Sequence, residues 1–125
     1  MARLPHARLW YTLGAVLTLV IVVLSLVPQK DLPQLRVSDK IEHATAFAAL
    51  AVWFGGLLAQ RHYVWLALAL LALGGAIEIA QGLMGLGRMA DARDLIADGW
   101  GIIFGLTLCA LGLRHWAQRV ERWWR

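Results

Sequence analysis

Cysteine occurs once in the chain, at position 109, so no disulfide can form within it and the redox compartment is not encoded there. Cys109 lies among Leu106, Leu108, Ala110 and Leu111 and reads as a small apolar filler rather than a reactive thiol. Charge is scarce as well: Asp, Glu, Lys and Arg make up 16% of the residues, against ~25% in soluble domains. No internal repeat and no low-complexity linker is present, and 125 residues leave room for one domain. There is no Gly-rich phosphate loop, no His-x-x-x-His pair and no serine-nucleophile motif, so the familiar signatures of nucleotide-binding and hydrolytic sites are missing. Zinc-finger spacing and a basic recognition helix are missing too, so the net charge of +4 does not point to nucleic acid.

What the chain has is apolar length. Hydrophobic residues account for 60% of it and its mean hydropathy is +0.62, a composition that leans towards a membrane protein. A first apolar run covers Tyr11 to Val27, anchored by Trp10 at an interface and ended by Pro28. Arg3 and Arg8 resemble the basic start of a signal peptide. The run is long, however, and Ser25-Leu26-Val27 is a poor cleavage site, so it reads as a retained helix. Further spans are predicted at about 42–59, 63–81 and 94–113, with the first at about 10–27. Gln60-Arg61-His62 predicts a tight turn and an antiparallel hairpin. A backbone in lipid must satisfy its own hydrogen bonds, and four segments are too few strands for a barrel. The predicted fold is therefore all-α, a polytopic four-helix transmembrane bundle in a single domain.

Four spans put the first residues, the Arg61 turn and the last residues on one side. Seven of the twelve basic residues lie there (Arg3, Arg8, Arg61, Arg114, Arg119, Arg122 and Arg125). The positive-inside rule then predicts both termini in the cytoplasm. Residues 114–125 form a basic tail rich in tryptophan. Trp116, Val120, Trp123 and Trp124 lie near helical spacing, a pattern for an interfacial helix on anionic lipid or for a plain flanking anchor.

Against this apolar background the remaining charges stand out, because ionisable groups at membrane depth are costly and tend to be functional. Asp39, Lys40 and His43 lie near the start of the second span, and Glu78 and Gln81 near the end of the third. Arg88, Asp91, Asp94 and Asp98 lead into the fourth. The topology brings these three ends to one level, on the outer side. Glu78 follows about four turns of apolar helix, so it should face the bundle and meet Lys40, Arg88 or His43. Asp91 and Asp94 suit the positive end of a helix dipole or a cap, whereas Asp98 lies one turn deeper. The last span presents Gly101 and Gly105 on the carboxylate stripe, and this small-xxx-small spacing predicts a close helix contact. Gly74 and Gly82 are predicted on the face of Glu78 and Gln81.

These residues, as Asp39-Lys40-x-x-His43-x-x-x-Phe47 with Leu50, then Glu78-x-x-Gln81, Arg88, Asp94 and Gly101-x-x-x-Gly105, resemble the signature of the VanZ-like family of small bacterial membrane proteins. The resemblance covers roughly residues 39–105. Position 98 departs from it: the family's pattern has asparagine, and this chain has an acceptor-only aspartate. The family is named for a protein associated with teicoplanin resistance, so the resemblance implies a bacterial inner-membrane location and a role in the cell envelope without supplying a reaction.

The cluster admits three uses. In the first, His43, Glu78 and Asp94 act as catalytic acid/base groups on a lipid-linked or anionic substrate, such as a cell-wall precursor, bound by Asp39, Lys40, Gln81, Arg88, Asp91 and Asp98. No cofactor is required by the sequence. With a single histidine, oxygen-bound Mg²⁺ or Ca²⁺ suits the cluster better than zinc, and no metal ligands are assigned. In the second, the cluster binds or passes a membrane lipid or small ligand without chemistry. In the third, it is a polar clasp that fixes helix register.

Overall fold

The computed structural model describes residues 4–27, 39–84 and 92–124. Among them the chain is helical, with no strand. The helices are α1 (Ala7–Leu26), α2 (Asp39–Gly55), α3 (Tyr63–Met84), α4 (Ala92–Leu108) and α5 (Trp116–Trp124). A 3₁₀ turn at Gln60–His62 leads into α3, and a π-helical turn at Cys109–Leu113 extends α4.

Three segments are long and apolar enough to cross a membrane: Ala7–Leu26, Gln60–Met84 and Ala92–Leu113. Their length and composition are those of membrane-spanning helices and point to a membrane protein. Their outer faces carry Leu19, Val23, Val64, Leu68, Ile103, Phe104 and Leu111, all exposed. So many large exposed apolar side chains are out of place in water and matched to lipid. The second predicted span differs from the other three. It has 17 residues and opens on Asp39, Lys40 and Glu42. It also packs against α1, α3 and α4, with Phe47, Leu50 and Ala51 almost fully enclosed. Its hydropathy is low because Asp39, Lys40, Glu42 and His43 fall within its first five residues.

Element ends follow local chemistry. Val27 is extended, at φ −68° and ψ 137°, as expected of a residue preceding proline. The helix α2 stops at Gly55, four residues before its predicted end, and the Gln60–His62 turn belongs to the entry of α3. Packing explains the early stop. A Cβ on Gly56 would lie 2.0 Å from Trp116 Nε1, and one on Gly55 would lie 2.9 Å from Cys109 Sγ. The Gly55-Gly56 step lets the end of α4 and the start of α5 close over the end of α2. Tyr63 then donates its hydroxyl to the Gly55 carbonyl at 2.8 Å, holding the hairpin shut.

Buried positions recur at helical spacing. They are His43, Phe47, Leu50 and Ala51 on α2, and Leu66, Leu70, Gly74, Ile77, Glu78 and Gln81 on α3. On α4 they are Asp94, Asp98, Gly101, Ile102 and Gly105. Lipid is as apolar as a leucine core, so helices in it associate through close packing and polar contacts. The α2–α4 contact is of this kind. A Cβ on Gly101 would lie 2.1 Å from the Ala44 carbonyl oxygen, and one on Gly105 would lie 2.6 Å from that of Ala48. The two backbones touch, as the glycine spacing predicts. Gly82 differs: it is exposed, outside the buried stripe of α3.

The helix α5 turns back on the bundle after His115, whose φ is +58°. Its polar stripe, Ala117, Gln118 and Glu121, is the buried one. Glu121 Oε1 accepts Trp10 Nε1 at 2.7 Å and the His6 backbone N–H at 3.0 Å. Trp124 stacks on Trp10 at 5.7 Å and 3°, and Trp116 Nε1 donates to the Val52 carbonyl at 2.7 Å. The tail is thus a docked helix, and Trp116 faces protein. Trp123, Arg119 and Arg122 remain outside.

Candidate functional site

Each arm of the site sits where helix geometry puts it. His43 lies one turn inside α2, in line with Phe47 on the buried face. Glu78 and Gln81 are a turn apart near the end of α3, and Asp94 and Asp98 are i, i+4 at the start of α4. The structure brings His43, Glu78 and Asp94 together: one ligand atom from each lies within 4.8 Å of the other two, and all three residues are buried. Topology alone predicts this meeting of α2, α3 and α4.

Two pairs join α2 to α4. His43 Nδ1 lies 2.9 Å from Asp98 Oδ1, and Lys40 Nζ donates to Asp94 Oδ1. An ionised carboxylate only accepts, so Nδ1 donates and the lone pair of a neutral ring falls on Nε2. Nε2 stands 3.6 Å from Asp94 Oδ2, beyond a hydrogen bond. Asp94 therefore divides its oxygens between Lys40 and the His43 side. The side chain of Lys40 is 38% exposed, so the cluster reaches the surface at that edge.

Asp98 also meets α3. A Cβ on Gly74 would come within 2.6 Å of its Oδ2, so Gly74 is the clearance that seats the carboxylate. Gln81, predicted to bind ligand, is directed elsewhere: its Nε2 donates to the Ser25 carbonyl at 2.6 Å and ties the ends of α3 and α1 together. Asp39 begins α2, and Arg88 and Asp91 lie outside the described residues.

The arrangement combines an oriented imidazole, carboxylates from two helices and a lysine at the rim. Such a set can hold a cation, relay a proton or clamp helices. The positioning roles of Asp98 and Gly74 follow from contacts that no spacing motif records. A hint was present in the aspartate at 98, a charge too deep to be a cap. No family model, curated protein or solved structure matches the chain.

Proposed function

We propose that the chain is a VanZ-like integral protein of the bacterial inner membrane, with four spans and both termini cytoplasmic. Its outward-side cluster binds or processes an anionic, lipid-linked envelope ligand. The observation that carries this reading is the convergence of His43, Glu78 and Asp94 from three helices into one buried group. Buried ionisable groups at membrane depth are costly, and their concentration at one point favours use. The signature Asp39-Lys40-x-x-His43, Glu78-x-x-Gln81 and Gly101-x-x-x-Gly105 supports an envelope role, with glycopeptide susceptibility as a phenotype to measure. The exposed Arg119, Arg122 and Trp123 on α5 suit contact with the anionic inner leaflet.

A second reading has its own observation. Lys40–Asp94 and His43–Asp98 both cross from α2 to α4, as a structural clasp would. Mutagenesis separates the two. A ligand site predicts that His43→Ala and Glu78→Gln chains insert at normal abundance yet lose the envelope phenotype and any change in lipid-linked products. Loss of folded protein from both variants would favour the clasp.

A further inference from the structure

We propose that His43, Glu78 and Asp94 form a binding site for a divalent transition cation such as Zn²⁺, with Asp98 as the residue that orients the imidazole. This rests on reading the cluster as a ligand site and names its ligand.

Three observations carry it. First, the donor set is complete for a three-ligand site: one imidazole and two carboxylates from α2, α3 and α4, mutually within 4.8 Å and buried. Second, the His43 Nε2 to Asp94 Oδ2 separation of 3.6 Å is too long for a hydrogen bond. It is close to the edge of a tetrahedron with bonds of ~2.0–2.1 Å, which is about 3.4 Å. Third, metal-binding histidines usually give their other ring N–H to a carboxylate, which fixes the tautomer and raises ligand basicity. Asp98 Oδ1, 2.9 Å from His43 Nδ1, is that carboxylate. The aspartate at 98 matters here. An asparagine amide can donate as well as accept and so leaves the tautomer open, whereas a carboxylate does not. Gly74 keeps the room Asp98 needs.

Softness selects among cations. On sequence, a single histidine in the cluster favours oxygen-bound Mg²⁺ or Ca²⁺, but the structure shows that imidazole oriented by Asp98 beside two carboxylates, and this moves the preference to Zn²⁺ or Mn²⁺. Three protein donors leave a coordination position for an outside oxygen ligand, as in metal sites that bind or activate a substrate. Lys40 marks the edge at which the cluster meets the surface.

The test uses the full chain in lipid nanodiscs, stripped with chelator and titrated with Zn²⁺. The expected result is about one ion per chain in the wild type and none in His43→Ala. Asp98→Asn should keep the stoichiometry and lose roughly 10–100-fold in affinity. Absence of a stoichiometric ion in the wild type would overturn the proposal, as would equal binding by folded His43→Ala and Glu78→Gln chains, which would assign the ion to another surface. If the variants do not fold, Co²⁺ added to the wild type decides. Ligand-field bands displaced by one equivalent of Zn²⁺ support the site, and a spectrum of the hydrated ion alone overturns it. A wild type that binds no ion, with a His43→Ala chain that folds and loses the envelope phenotype, would end the cation proposal and leave the ligand-site reading standing.

Discussion

Asp98 touches two helices at once, accepting from His43 on α2 with one oxygen and pressing against Gly74 of α3 with the other. Single residues of this kind set the geometry, and glycines test it cleanly. Gly101→Ala would drive a methyl to 2.1 Å from the Ala44 carbonyl oxygen, a backbone atom that can yield only if α2 and α4 part. Overpacking of this sort costs about 1–3 kcal/mol or more. Thermal unfolding in detergent should therefore show a clear loss, whereas Gly99→Ala, which meets only Leu71 at 3.7 Å, should be near neutral. A melting temperature unchanged by Gly101→Ala would contradict the backbone contact. At the other end, Glu121→Ala removes the acceptor for Trp10 Nε1 and the His6 N–H. Stranding buried donors costs about 1–3 kcal/mol. Glu121→Gln, which retains an acceptor oxygen, should recover most of that loss in the same melt.

At the scale of elements, α5 is the one whose placement was least legible. Spacing in the tail points to a helix with Trp116, Val120, Trp123 and Trp124 along it, and a helix forms there. Which face meets protein depended on the distant partners His6 and Trp10, and no local period carries that information. The stripe of Ala117, Gln118 and Glu121, small and polar in a basic segment, was the available signal. Removing residues 114–125 should expose Trp10 and Trp53, which now pack against Trp116. Red-shifted tryptophan emission from the shortened chain is the check, and an unshifted spectrum would argue that α5 docks only weakly. The α2 helix shows the opposite balance. Its charged start was legible from Asp39, Lys40 and His43, and the structure sets His43 in line with the buried Phe47 and Leu50. Its early end was not, since the residues that crowd Gly55 and Gly56 come from Cys109 and Trp116.

For the whole molecule, antiparallel connection was enough to bring the start of α2, the end of α3 and the start of α4 to one level, and this made the cluster legible before any contact was known. Distances were not legible, and neither was the diversion of Gln81 to Ser25, because hydropathy does not say which neighbour a buried amide meets. The orientation proposed from the basic residues has a direct test. Arg61 and Met84 lie at opposite ends of the segment Gln60–Met84, and both are exposed. Arg61→Cys should react with an impermeant thiol reagent only from the cytoplasmic side, and Met84→Cys only from outside, with the buried Cys109 silent. Reaction of Arg61→Cys from outside would reverse the topology.

The glycine seam between α2 and α4 has one further consequence. Helices whose backbones touch at Gly101–Ala44 and Gly105–Ala48 have little room between them, and this close contact ties α2 to α4. His43, Asp94 and Asp98 are carried by that joined pair, whereas Glu78 reaches the cluster from α3, so a change in the tilt of α3 against the pair would alter the cluster through Glu78.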